Sequence, residues 1–202
     1  MAKPQVYIAL LHYPVYNKHM EVITTSITNL DVHDIARSAR TYNVAGYYIV
    51  HPVQAQQELI KHMLEYWQTG FGSRYNPDRK EAFERLTLIN TLEDTLQDIE
   101  QKTGQKPVTV TTDARIYPNT VTYRDLREKI WQGDRPYLIM FGTGYGMEQK
   151  TMESAEHILE PIYGGGEYNH LCVRGAVSII LDRLLGEPWW SKAGAIKEIY
   201  LP

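Results

Sequence analysis

The sequence predicts an α/β domain with a mostly parallel sheet flanked by helices. Two observations carry this. Short runs rich in Val, Ile, Tyr and Thr alternate with longer segments of helical apolar spacing, the pattern of strand–helix–strand units. In the last third a strand-like run, Pro136-Tyr-Leu-Ile-Met-Phe141, leads into a glycine loop, Gly142-Thr-Gly-Tyr-Gly-Met147. A second glycine loop, Glu160-Pro-Ile-Tyr-Gly-Gly-Gly-Glu-Tyr-Asn169, opens into a final apolar helix. Glycine carries no Cβ, so two such loops close together suggest one ligand approached by backbone from two sides.

Residues 5–15 read as the first strand, ended by Tyr13-Pro14. Residues 22–27 form a second short strand or an extended loop. Residues 31–42 read as a helix, with Ile35 and Ala39 on one face and Arg37 and Arg40 on another. A strand at 44–50 is stopped by His51-Pro52, and 54–67 is a helix with Leu59, Met63 and Tyr66 in register. Residues 70–76 form a loop. Pro77 suits the first turn of a long helix, 77–102, in which Phe83, Leu86, Ile89, Leu92, Leu96 and Ile99 keep helical spacing and Gly104 ends it. A β-branched strand at 107–112, a short helix at 123–132 and a strand at 137–141 follow. A helical turn at 148–155 and a strand at 157–162 precede the last helix, which runs to about residue 185.

In that last helix His170, Arg174, Ser178 and Asp182 recur every four residues as one narrow polar stripe. Nearly all other positions are apolar, so burial on most sides is expected, part of it by a second subunit. No break in composition marks a linker, and residues 1–202 are expected to form a single domain.

Hydrophobic and charged contents of 43% and 22% are those of an ordinary globular protein. The lone Cys172 excludes an intramolecular disulfide and fits a reducing compartment. The apolar run at 6–11 is interrupted by His12 and Pro14 and is too short for a signal segment or a membrane span. A cytoplasmic protein with no membrane partner is expected. The net charge of −3 argues against broad, nonspecific coating of nucleic acid. The charge is uneven, however. Residues 102–135 hold seven Lys/Arg against four Asp/Glu, whereas 81–100 hold six acids and one Arg, so a polyanion would favour the first segment and avoid the second.

Several chemistries lack their motifs. Seven scattered histidines, no HExxH and one cysteine give no reason to expect a metal. There is no GxxxxGK[ST] phosphate loop and no GxSxG elbow. Gly142-x-Gly-x-Gly fits the dinucleotide fingerprint poorly, because its third glycine is misplaced and it lies late in the chain. His12, His51, Thr112-Asp113 and Gly142-Thr143 all stand at carboxyl ends of expected strands, where parallel sheets bind ligands. The bland reading of the two His-Pro corners is that proline ends strands.

Three segments together carry a family resemblance. Asp31-Val-His-Asp-Ile-Ala-Arg37-Ser-Ala-Arg-Thr-Tyr-Asn-Val44 resembles the first motif of SPOUT RNA methyltransferases. Leu138-Ile-Met-Phe-Gly-Thr-Gly-Tyr-Gly-Met147 resembles the second, a strand ending in a glycine-rich turn. Leu159-Glu-Pro-Ile-Tyr and Asn169-His-Leu-Cys-Val-Arg-Gly-Ala-Val resemble the third. Segments 29–37 and 71–77 are similar to signatures of a small branch related to the extension of some tRNA guanine-N1 methyltransferases. Asp31 stands where many members carry Asn, Gly142-Thr-Gly replaces the Asn-Glu-Gly of ribose 2′-O enzymes, and Cys172 replaces a common Ser.

The resemblance implies a C-terminal trefoil knot, S-adenosylmethionine as cofactor, an RNA substrate and a homodimer. It implies cofactor contacts from Thr112, Phe141, Gly142, Thr143, Gly144, Ile162, Gly164, Gly165, Asn169, Leu171 and Val173. Arg37 is the candidate for the acceptor side, since a guanidinium pairs with phosphate and stabilises a developing oxyanion. Asp113, at a strand end, is a candidate base or cofactor contact, with a turn-forming role as the ordinary alternative. Arg40, Arg74 and Tyr75 are candidates for RNA, the last two as an Arg–aromatic pair that grips phosphate and stacks on a base. The acceptor, a ribose 2′-oxygen or a base nitrogen, stays open. So does a reading as a binding module that keeps the pocket without transfer.

Overall fold

The computed structural model describes residues 4–187. Its centre is a seven-stranded sheet in the order β5-β4-β1-β8-β6-β9-β7, with every pairing parallel. The strands are β1 (Val6–Leu11), β4 (Gly46–Val50), β5 (Leu86–Ile89), β6 (Val108–Thr112), β7 (Thr120–Val121), β8 (Tyr137–Gly142) and β9 (His157–Leu159). A two-stranded antiparallel ribbon, β2 (Val15–Tyr16) with β3 (Val22–Ile23), stands apart.

Strand β1 shows why both faces must be covered. Val6, Ile8 and Leu10 enter one apolar cluster, and Tyr7, Ala9 and Leu11 enter the other. Alternating Cβ directions send successive residues to opposite faces, so a strand without polar alternation needs two covered sides. The first face is packed by α1 (Asn29–Thr41), α2 (Gln54–Gln68), α6 (Tyr123–Gln132) and α8 (Val173–Leu185), through residues such as Ile35, Ile60, Leu126 and Leu181. The second is covered by α5 (Leu92–Thr103) and α7 (Gln149–Ser154), through Ile99 and Met152.

Register aligns the strand ends that matter. Leu11 pairs with both Val50 and Gly142, and Thr112 pairs with Leu159. The carboxyl ends of β4, β1, β8, β6 and β9 therefore share one edge. The order turns between β1 and β8: β4 and β5 lie on one side, and β6, β9 and β7 beyond β8 on the other. Ligands of open parallel sheets sit outside such a switch point.

The structure differs from expectation at several elements. The long helix expected at 77–102 is α4 (Pro77–Phe83), then β5, then α5. Leu86 and Ile89 satisfy a three-residue helical spacing, but Leu86-Thr-Leu-Ile89 is also a short apolar run. Pairing along β4, Tyr47 with Leu86 through Val50 with Ile89, decides in favour of a strand. Thr91 then restarts the helix by accepting from the Asp94 amide. The loop at 70–76 contains a short helix, α3 (Phe71–Tyr75). The first strand stops at Leu11, and 157–162 is a strand only to Leu159.

The last helix begins at Val173, not at Asn169. Its stripe lies against α1 of the same chain. Arg174 pairs with Asp34 at 3.0 Å and Asp31 at 3.5 Å, Ser178 meets Ser38 at 2.8 Å, and Asp182 accepts from the Tyr42 hydroxyl at 3.1 Å. His170 precedes the helix and is no part of that contact.

Candidate cofactor and acceptor site

The glycine loop after β8 is fixed by a chain of hydrogen bonds whose direction the atoms dictate. The Thr143 hydroxyl donates to the Leu11 carbonyl at 3.0 Å. Its proton is thereby used, so the Thr25 hydroxyl, 2.5 Å away, donates to Thr143. The Thr25 oxygen must then accept from His12 Nδ1 at 3.0 Å. His12 is neutral with its proton on Nδ1, and its Nε2 is a buried acceptor with no partner. Burial, then the neighbouring charge of His51, lowers its pKa from 6.5 to about 4. His51 has the opposite tautomer. Its Nδ1 accepts from the Val53 amide, so Nε2–H donates to the Thr25 carbonyl at 3.0 Å. The two His-Pro corners thus pin one residue, Thr25, which pins the glycine loop.

The loop itself admits little else. A Cβ on Gly142 would stand 2.7 Å from Met147 Cγ, and one on Gly144, at φ +60°, 2.7 Å from the Tyr16 carbonyl oxygen. Tyr16 and the loop also exchange backbone bonds, Tyr16 to Gly146 and Tyr145 to Tyr16. Phe141 sends its side chain into the core, so only its backbone stands at the loop.

Across the edge, the Thr112 hydroxyl donates to the Met140 carbonyl, tying β6 to β8. The Asp113 carboxylate accepts from Arg115 at 2.9 and 2.8 Å, from the Arg115 amide and, at 3.3 Å, from the Tyr117 hydroxyl. Its side chain is only 6% exposed. These are the contacts of a group that shapes a turn, and they leave little free lone-pair capacity for a base.

Residues 160–172 contrast with this rigid corner. A Cβ at Gly164, Gly165 or Gly166 would meet nothing within 4 Å. No backbone amide from residue 163 to 171 donates to another described residue. Leu171, Tyr163 and Tyr168 are exposed, while Ile162 and Val173 are half-buried against the core. Asn169 is not the helix cap; its amide donates to the Ala114 carbonyl at 3.0 Å, fastening this segment to the turn after β6. Unused amides beside exposed apolar side chains suit an adenosine, which has polar edges and apolar faces.

On α1, Arg37 is exposed and its guanidinium makes no hydrogen bond or ion pair with a described residue. It lines a cavity of about 350 Å³ with Asp34, Ser38, Thr41, Tyr42 and Ser178. Asp31, which opens the motif, accepts from its cap Thr28 and pairs with Arg174, so it joins α1 to the first turn of α8. No described contact joins Arg37 to Asp113 or to either glycine segment. Arg40 is engaged by Glu81. Arg74 and Tyr75 are exposed, and Tyr75 stacks on Phe71. Among the described residues no group of three His, Cys, Asp or Glu could hold a metal ion, and no helix is long and apolar enough to cross a membrane. Thr25 and Arg115 were not legible as residues that shape the site, because lone Thr and Arg residues in loops carry no sequence pattern.

A family model described as SAM-dependent RNA methyltransferase matches residues 5–186. The chain belongs to this family. A protein of Aquifex aeolicus with no assigned function is 50% identical over 184 residues, covering 91% of this chain and 90% of that one. A tRNA (guanine-N(1)-)-methyltransferase of Oleidesulfovibrio alaskensis is 42% identical over 185 residues. That match covers 90% of this chain but only 42% of the relative. Among solved structures, a methylase-family protein of Haemophilus influenzae superposes with a TM-score of 0.59 at 15% identity, over 98% of this chain and 72% of that one. The SpoU methyltransferase AviRb of Streptomyces viridochromogenes, in complex with AdoMet, gives 0.57 at 12% identity, over 92% and 58%. The chain shares its α/β fold with these two proteins. As a member of this family the chain is an RNA methyltransferase with S-adenosylmethionine as its methyl donor.

Proposed function

We propose that this methyltransferase acts on tRNA, binding its cofactor between the Gly142–Gly146 loop and residues 160–172, with Arg37 on the acceptor side. The tRNA assignment rests on the named relative, which shares this region over 42% of its length. The observation that carries the site is the contrast at the carboxyl edge: a corner whose threonine hydroxyls are paired, and a segment whose backbone amides are unused.

Bound S-adenosylmethionine supplies a methyl group on a sulfonium, already activated for displacement. The chain's own residues therefore position more than they react. Thr143 and Asp113 hold the two turns at the strand ends. Leu171 and Ile162 offer apolar surface to the base of the cofactor, and the amides of 163–171 offer donors. Arg37, with no partner of its own, is available to a phosphate and to the charge that develops on the attacking atom.

Arg37 lies two turns into α1, away from the strand ends that hold the cofactor. A homodimer in which Arg37 of one copy faces residues 160–172 of the other reconciles these positions, and the family resemblance supports it. The same resemblance implies the C-terminal knot, whereas a cytoplasmic location is expected from the lone Cys172 and the shortness of the apolar run at 6–11. Trp189 and Trp190, which follow a Gly-Glu-Pro turn and are candidates to close the dimer or the knot, lie outside the described residues.

The test is nucleoside mass spectrometry of tRNA from cells with and without the gene, followed by transfer of labelled methyl to the tRNA from the deletion strain. Arg37→Ala is expected to slow transfer by roughly a hundred-fold or more while calorimetric affinity for S-adenosylmethionine holds. Equal transfer by the variant would remove Arg37 from the mechanism. No nucleoside difference would remove tRNA as the substrate.

A further inference from the structure

A second cavity, of about 160 Å³, opens beside Arg37 and is lined by Arg37, Asn76, Asp78 and Arg79. It lies between α1 and the start of α4. Neither arginine has an anionic partner among the described residues, in contrast to Arg40, Arg115 and Arg135. Arg79 is nevertheless half-buried. Its guanidinium lies 4.5 Å from the centre of the Trp67 ring, and its Nε is a buried donor with no acceptor. A buried charged-group donor left unpaired is costly, and native proteins keep few of them. Stacking on Trp67 holds the guanidinium plane in place without using its hydrogen bonds. His33, whose ring packs against Trp67 and Phe83, is pushed toward its neutral form by burial first and then by the charge of Arg79; Asp34 opposes and Arg37 adds. The cavity lining itself carries two arginines against one carboxylate, Asp78.

An aromatic ledge adjoins the cavity lining along the chain. Asn76, on the cavity wall, ends α3 and caps α4 by accepting from the Arg79 amide. Immediately before it, Tyr75 is 76% exposed and Phe71 is 68% exposed. Their rings stack with centroids 6.2 Å apart and planes 22° apart. Two glycines make this possible: a Cβ on Gly72 would stand 2.6 Å from the Trp67 ring, and one on Gly70 2.8 Å from the Tyr66 carbonyl. So α3 is drawn tightly onto α2, and its aromatic side chains are turned outward rather than into the core. Arg74, exposed between them in sequence, has no partner among the described residues.

We propose that this cleft and ledge form an RNA subsite in which Arg79 and Arg37 hold one backbone phosphate and an unpaired base stacks on Phe71 and Tyr75. A phosphate would pair with the Arg37 and Arg79 guanidiniums that line the cleft without an anionic partner, and a base requires an exposed aromatic face. The subsite rests on the reading of RNA as acceptor. It adds Arg79 and Phe71 to that reading, places Tyr75 beside Phe71, and gives a reason for the conformation of α3.

The experiment measures binding of tRNA and of a short single-stranded oligonucleotide by anisotropy across a salt series, with S-adenosylmethionine affinity by calorimetry alongside. Arg79→Gln is expected to weaken RNA binding and make the log–log salt dependence about one unit shallower, as loss of one phosphate contact does. Arg79→Lys is expected to keep most of that slope. Phe71→Ala with Tyr75→Ala, both at exposed positions, is expected to weaken oligonucleotide binding about five-fold or more with the salt slope unchanged. Cofactor affinity should hold in all of them. An unchanged slope in Arg79→Gln, or unchanged oligonucleotide binding in the double variant, overturns the subsite while leaving the methyltransferase reading intact. Wild-type protein that binds the cofactor but no RNA overturns both.

Discussion

The two glycine segments look alike in sequence and are opposites in structure. In the first, Gly142 and Gly144 are demanded by the fold: added Cβ atoms would strike Met147 and the Tyr16 backbone. In the second, Gly164 and Gly166 are demanded by nothing the chain itself supplies. One loop is built into the molecule, the other is left open by it. A glycine that the fold needs says little about a ligand. A glycine beside unused amides, in a family that binds S-adenosylmethionine, points to the ligand as the reason.

The comparison can be broken most strongly by acid. His12 titrates near pH 4 in the fold against 6.5 in the unfolded chain. Between those values the unfolded chain holds a proton that the fold excludes. This group therefore costs no stability above pH 6.5, and stability falls as pH drops toward 4, by about 3 kcal/mol in all. Urea titrations across that window check it, and His12→Gln should flatten the slope. If the wild-type curve is already flat, the corner is not the rigid element described above.

Gly144→Ala should come next, at roughly 2 kcal/mol, since it adds left-handed strain to a backbone clash. Thermal unfolding reads it directly. Thr25→Val removes the hydroxyl shared by His12 and Thr143 and should cost about 1–2 kcal/mol, by stranding His12 Nδ1 in the interior. It should also loosen the loop, visible as faster hydrogen exchange at residues 143–146. The smallest effect on stability is expected where the ligand effect is largest. Gly164→Ala and Gly166→Ala should change stability by less than about 0.5 kcal/mol. Each should weaken S-adenosylmethionine binding several-fold in calorimetry. Equal loss of stability in both segments would erase the distinction.

Much was legible beforehand because it is local. The strand at β8, the proline start of α4 and the glycine end of α5 are read from neighbouring residues. The family was legible because three separated motifs occur in order. Other features were not. Leu86-Thr-Leu-Ile89 satisfies both periods, and only its pairing to β4 makes it a strand. The stripe on α8 was visible, but not that α1 answers it with Asp31, Asp34 and Ser38. Asp113 was a reasonable base by position, and a residue two places away occupies its carboxylate.

The sequence by itself thus determined the fold class, the strand ends that gather at one edge of the sheet and the membership of a methyltransferase family. Each follows from periodicity, from turn chemistry or from the order of motifs along the chain. The tertiary structure decided which glycines serve the fold, which charges are spent on one another and which, like Arg37 and Arg79, are left for something else. Those depend on distances between residues remote in sequence, and a hydrogen bond or an ion pair exists only at the distance that folding sets.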